Sequence, residues 1–276
     1  MNQDEIKVCV MRVSGTNCDA ETQRAFIELG VQAETLHVNE LVKRRNLLDY
    51  QMLVFPGGFS FGDYVRSGVI FARHLNARLG KEMATFIDEG RPILGICNGF
   101  QIMVEYGLLP GLKGVSTYPE ATLTTNEPAG FKCQWVYMKH ENKGKCVFTS
   151  KIPVGKVVGM PIAHGEGRLL FPKEKEQDML AKLIDEDMVV FRYCDKKGCV
   201  ANGKYPDNPN GSTYDIAGIC NREGNIFGLM PHPERSMYWW QQPNWTRQQQ
   251  MLQYGDGKLI FQSIIDDLRN KVKGRR

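Results

Sequence analysis

Short apolar runs alternate with helix-spaced amphipathic stretches through the first hundred residues. Residues 6–13 (IKVCVMRV) form a β-branched strand pattern, and Ser14-Gly15-Thr16-Asn17 reads as the turn that follows it. Asp19 stands where a helix cap is expected, and the helix it opens runs to Gly30. A second strand covers 31–38, followed by a polar helical stretch. Residues 52–55 (MLVF) are wholly apolar, as in a strand buried on both faces, and end on Pro56-Gly57-Gly58-Phe59. The spacing predicts two helices, over 67–76 and 78–89, before another apolar run at 93–96 (ILGI). Phe100, Met103, Val104 and Gly107 then recur at helical spacing over 100–106. This β-α-β-α rhythm predicts an α/β fold with a parallel sheet covered on both faces.

Beyond Ala121 the pattern changes to strands of alternating character, at 132–138, 156–162, 188–194, 213–220 and 225–230. One helix, around 174–185, interrupts them, and 196–211 is rich in Gly, Asn, Pro and Lys, as a surface loop is. Residues 236–254 carry three of the four tryptophans and read equally as a partner-binding surface or a wrapped loop. The closing helix, 258–272, places Phe261, Ile264, Ile265, Leu268 and Val272 on one face. With no repeats and no linker, residues 1–276 read as a single domain.

Composition narrows the function classes. The net charge of +4 equals the four cations of the tail, Lys271, Lys273, Arg275 and Arg276, so the rest is formally neutral. Charge thus argues for neither nucleic-acid nor membrane binding. The first ten residues have no signal-like apolar core, and eight cysteines without such a signal read as reduced thiols in the cytoplasm. Cys194 and Cys199 have no second pair at zinc-ligand spacing, so no metal site is expected.

The chemistry starts from Gly95-Ile96-Cys97-Asn98-Gly99, set between an apolar strand and a helix. This is the thiol counterpart of the G-x-S-x-G elbow, whose sharp strand-to-helix turn lifts the central side chain out of the sheet. The flanking glycines allow close backbone approach, and the helix N-terminus favours negative charge. Most cysteines at a strand end are simply buried, yet here strand, paired glycines and helix coincide. Met230-Pro231-His232-Pro233-Glu234-Arg235 follows another apolar strand. Proline biases the preceding residue toward extended geometry, in which positions two apart share a side, bringing Glu234 near His232. A nucleophilic cysteine needs a base, and the base needs an acceptor to orient it; Cys97, His232 and Glu234 are the right types. An oxyanion needs donors, for which the backbone N–H groups of Asn98 and Gly58 are candidates. The segment Ala163-His164-Gly165-Glu166-Gly167 holds a rival His–carboxylate pair and reads equally as a tight turn.

Together PGGFSFGDY (56–64), GICNGFQI (95–102), PIAHGEGR (161–168), FRYCD (191–195) and LMPHPER (229–235) carry a resemblance, which extends from SGTNCD near the start to GDGKLIFQSI near the end. The chain resembles class I glutamine amidotransferases and, more narrowly, the glutaminase subunits of phosphoribosylformylglycinamidine synthases. The resemblance implies a flavodoxin-like, mostly parallel sheet with helices on both faces and an antiparallel β extension. It implies Cys97 as nucleophile, His232 as general base and acid, Glu234 as its orienting group, and Gly58 and Asn98 as oxyanion donors. Gln101 and the backbone around His164 would hold the substrate, glutamine. It further implies delivery of ammonia to a separate ATP-dependent synthetase subunit, with a small accessory subunit bridging the two. The chain has no G-x-x-x-x-G-K-[ST] loop, so ATP and magnesium are expected on the synthetase and no cofactor here. Two other readings are a free-standing γ-glutamyl hydrolase, active without a partner, and a non-catalytic regulatory module, which requires a degraded triad, whereas Cys97, His232 and Glu234 are all present.

Overall fold

The computed structural model describes residues 6–247 and 252–273. Strands β1 (Lys7–Arg12), β2 (Gln32–His37), β3 (Met52–Phe55) and β4 (Ile93–Ile96) alternate with helices α1 (Asp19–Glu28), α2 (Val38–Arg44), α3 (Val69–Asp88) and α4 (Asn98–Tyr106). Then come β5 (Thr122–Thr124), β6 (Lys132–His140), β7 (Val157–His164), β8 (Arg168–Leu170), α5 (Glu176–Asp185), β9 (Val189–Cys194), β10 (Ile216–Cys220), β11 (Ile226–Leu229) and α6 (Lys258–Lys273). Nine strands form one sheet in the order β2-β1-β3-β4-β11-β10-β9-β6-β7, and β5 pairs with β8 in a small separate sheet.

The first five strands of that order are mutually parallel and the remaining pairings antiparallel. The parallel half has the 2-1-3-4-5 order of flavodoxin-like sheets. From β1 the chain steps one way to β2, and from β3 the other way to β4. Right-handed crossovers therefore place α1 and α3 on opposite faces. Phe26 of α1 meets Phe261 of α6 edge-on at 5.1 Å on one face, and α3 packs against α4 on the other. β3 and β4 are buried at every position, which is why they read as unbroken apolar runs. At the crevice where the chain reverses, the turns after β1 and β3 lie side by side, joined by the Thr16–Gly58 bridge.

Several expectations need correction. The two helices over 67–76 and 78–89 are one helix, α3, bent at Leu79 (φ −128°), whose side chain is fully buried at the bend. Asp19 does not cap α1; Cys18 precedes the helix without a side-chain cap bond, and Asp19 sits in the first turn beside Arg12 at 3.4 Å. Thr213–Asp215 is a 3-10 turn with Tyr214 at φ 55°, so β10 begins only at Ile216. The short strands β5 and β8 lacked the length to show periodicity. The 196–211 segment is less of a surface loop than its composition suggests: Asn208 and Asn210 are buried. Asn208 and the backbone N–H groups of Asn202 and Gly203 all donate to the Asp215 carboxylate. The side chain of Val272 and residues 248–251 lie outside the described residues. Among the described residues no helix is long and apolar enough to cross a membrane.

Candidate active site

The carboxyl ends of β1, β3, β4 and β11 meet at one edge, where ligands of open α/β sheets bind. Cys97, between β4 and α4, adopts φ 51°, ψ −104°, a backbone conformation L-residues rarely hold. Its N–H donates to the Leu229 carbonyl at 2.8 Å, tying the elbow to β11. The flanking glycines are required sterically. A Cβ on Gly99 would lie 1.9 Å from the Phe55 carbonyl oxygen, and one on Gly95 would lie 2.7 Å from Gly99 backbone atoms. Cys97 is 4% exposed, with its Sγ 3.8 Å from the Ala163 carbonyl oxygen of β7.

His232 follows β11 in extended geometry (φ −103°), and its N–H donates to the Pro161 carbonyl of β7 at 2.9 Å. Pro233 then opens a 3-10 turn, so Glu234 reaches His232 through that turn and not by strand alternation. The Glu234 Oε1 lies 2.5 Å from His232 Nδ1, with both side chains almost wholly buried. Burial opposes charging His232, but Glu234 and Cys97 together hold its imidazolium well above the usual histidine range. Nδ1 is engaged by the carboxylate, while Nε2 is buried with no hydrogen-bond partner among the described residues. That is the arrangement of a base oriented from one side and free on the other.

Two backbone donors lie at the same edge. Asn98 is the first residue of α4, where an N–H has no intrahelical acceptor. Gly58 (φ 149°) makes no backbone hydrogen bond through its N–H among the described residues. A Cβ on Gly58 would lie 2.8 Å from the Asn17 nitrogen, so only glycine fits. The side chains of Asn98 and Gln101 brace the site. Asn98 Oδ1 accepts from the Ser60 N–H and its Nδ2 donates to Gln101 Oε1, while Gln101 Nε2 donates to the Glu166 carbonyl.

His164 does not present its ring to this network. Its Nδ1 lies 3.1 Å from Asn126 Oδ1, and Asn126 Nδ2 donates to the His164 carbonyl. Burial, with the charge on His232, pushes His164 down to about 3, so it stays neutral. The rivalry for the base position is thus resolved by packing: His164 is a buried brace for the 163–167 turn. Sequence reasoning also missed Cys18 and Arg235. Arg235 Nη2 lies 3.1 Å from Cys18 Sγ, and its Nε donates to Glu21 at 2.8 Å. The ligand atoms of Cys18, His232 and Glu234 fall within 4.8 Å of one another. The His232 Nδ1–Glu234 Oε1 bond and the Arg235 guanidinium beside the sulfur compete with a cation there.

Comparison with known proteins shows the family. Residues 5–266 match the CobB/CobQ-like glutamine amidotransferase domain family. A subunit of Archaeoglobus fulgidus, phosphoribosylformylglycinamidine synthase subunit PurQ, is 46% identical over 97% of this chain and 99% of its own. The chain belongs to the PurQ family of glutamine amidotransferases. The PurQ subunit of Methanococcus maripaludis is 42% identical over 95% of this chain and 94% of its own. Among solved structures, PurLQS from Thermotoga maritima contains a chain 34% identical, with a TM-score of 0.70 over 96% of this chain and 99% of that one. The PurQ resemblance spans the sheet, the antiparallel extension and both candidate catalytic segments.

Proposed function

We propose that the chain is the glutaminase subunit of a phosphoribosylformylglycinamidine synthase, with Cys97 as nucleophile, His232 as general base and acid, and Glu234 as the group that orients it. The observation that carries this is the strained Cys97 elbow set at the same sheet edge as the buried His232–Glu234 pair. The Cys97 sulfur attacks the side-chain carbonyl carbon of glutamine while its proton rests on the charged His232 ring, at Nε2. The carbonyl oxygen becomes an oxyanion that the N–H groups of Gly58 and Asn98 stabilise. As the intermediate collapses, His232 returns the proton to the leaving nitrogen, releasing ammonia and a glutamyl thioester on Cys97. Water, deprotonated by His232, attacks the thioester, and glutamate leaves with the thiol restored. Gln101 and the backbone around His164 shape the substrate side of the cleft.

Ammonia passes to a synthetase subunit that converts formylglycinamide ribonucleotide to the amidine with ATP, for purine synthesis. A shielded route suits this chemistry, because free ammonia at neutral pH is mostly protonated and not nucleophilic. ATP and magnesium belong to the synthetase, a small accessory subunit completes the assembly, and this chain works in the cytoplasm as one domain without a cofactor. The test is glutamate release from glutamine by the purified chain, alone and with its synthetase and nucleotide. Weak release that rises on adding the synthetase is expected; strong release indifferent to it would favour a free-standing hydrolase.

A further inference from the structure

The segment bearing the base has to be held from a side that the catalytic groups do not use. β7 holds it through the His232 N–H to Pro161 carbonyl bond, and again where Ser236 Oγ donates to the Gly159 carbonyl. Neither contact restrains the ring against the opening of α1. There the fork of Arg235 spans two groups of one helical turn, Nη2 to Cys18 Sγ and Nε to Glu21 Oε1. Cys18 is itself fixed: its N–H donates to the Gly57 carbonyl, and its own carbonyl accepts from the Thr22 N–H and hydroxyl. Gly57 is the shared neighbour. A Cβ there would lie 2.6 Å from His232 Cε1, 3.3 Å from Nδ1 and 3.1 Å from Cys18 Sγ. The sulfur therefore packs beside the edge of the ring that Glu234 orients. The second Glu234 oxygen, Oε2, is buried there with no partner among the described residues.

We infer that Cys18, gripped by the Arg235 fork, is a positioning residue for the general base of the glutaminase reaction. This rests on the reading of His232 as that base. Burial pushes the Cys18 thiol up, despite the opposing pull of His232 and Arg235, so it serves as a neutral thiol and not as a second nucleophile. Its sulfur accepts from the guanidinium on one side and bears on the imidazole on the other. The charged or titratable groups around the ring are Glu234 and Arg235 on its own segment, Cys97 at α4, Cys18 at α1 and His164 on β7. Of these only Cys18 joins the ring to the Arg235–Glu21 pair. The role differs from catalysis: Cys18 acts on the substrate only through His232.

The test compares Cys18→Ala, Cys18→Ser and Arg235→Lys in the complex with the synthetase, reading kcat, KM and the pH profile of kcat/KM for glutamate release. Cys18→Ala should lower kcat about tenfold, with KM for glutamine within about twofold, as expected for a misplaced base. Its alkaline limb should move to lower pH, because the ring loses a group that supports its charged form. Cys18→Ser should recover most of kcat, since a hydroxyl can also accept from Arg235. Arg235→Lys, which keeps the charge but cannot fork, should behave like Cys18→Ala. A Cys18→Ala protein with unchanged kcat and alkaline limb would overturn the inference. So would equal losses in Cys18→Ala and Cys18→Ser with KM raised in both, which mean that the sulfur only fills space. Labelling of Cys97 by a diazoketone analogue of glutamine separates the two levels. Wild-type protein left unlabelled at Cys97 sinks the triad, whereas labelled protein whose Cys18→Ala variant keeps its kcat and pH profile sinks only the positioning role.

Discussion

The His232–Glu234 contact is a fully buried ion pair, and its consequences reach beyond catalysis. Taking away one partner of such a pair leaves a charge without compensation, at a cost of about 3–5 kcal/mol. Glu234→Gln should therefore lower kcat by about 10³ or more, by analogy with triads whose orienting carboxylate is made neutral. It should also lower the melting temperature in a pH-dependent way. His232 is raised above its unfolded value of 6.5, so the pairing stabilises the fold fully below that pH and is lost as pH rises through the folded value. The melting deficit of Glu234→Gln should accordingly be large at pH 6 and shrink toward pH 10, as read by calorimetry at both. A deficit that grew with pH would mean that His232 is neutral when paired. The residues of this pair were legible in the sequence because histidine and carboxylate stood two apart after an apolar strand. Their geometry was not, since Pro233 turns the chain into a 3-10 turn that no periodicity marks. Nor was the Cys18–Arg235 contact, which joins positions 217 apart.

At the scale of elements, the site is made by strand ends that stop at one level and by glycines that let backbones touch. The two turns of the elbow edge differ in what a methyl group would meet. At Gly99 it would strike the Phe55 backbone at 1.9 Å, whereas at Gly57 its nearest contact is the His232 side chain at 2.6 Å. Gly99→Ala should thus yield little folded protein. Gly57→Ala should fold, keep KM and lose kcat, because the methyl group displaces the base and crowds the Cys18 sulfur beside it; circular dichroism and steady-state kinetics on both variants decide this. The central strands were readable because burial on both faces leaves an apolar signature, as in β3 and β4. The bend in α3, the start of β10 and the pair β5–β8 were not. The first is a single non-helical residue, the second a left-handed Tyr214, and the third has only three residues per strand. The depth of Asn208 and Asn210 was hidden for a related reason: polar loop residues look exposed until their amides are seen replacing water around buried backbone.

For the molecule as a whole, the sheet divides the work. Its parallel half brings β1, β3, β4 and β11 to a common edge, and its antiparallel half supplies β7, whose carbonyls at Pro161 and Ala163 face the base segment and the thiol. Buried amides hold that half in place: Asn126 bonds the ring and carbonyl of His164 and the Gly167 N–H, and Asn210 donates to the Gly167 carbonyl. The account stands or falls on a covalent intermediate at Cys97. The decisive measurement is to quench the complex with acid during turnover of glutamine and locate the adduct by peptide mass spectrometry. The account predicts one glutamyl group on the peptide containing Cys97, and neither adduct nor glutamate release in Cys97→Ala. Continued release by Cys97→Ala, or an adduct on any other residue, would contradict it.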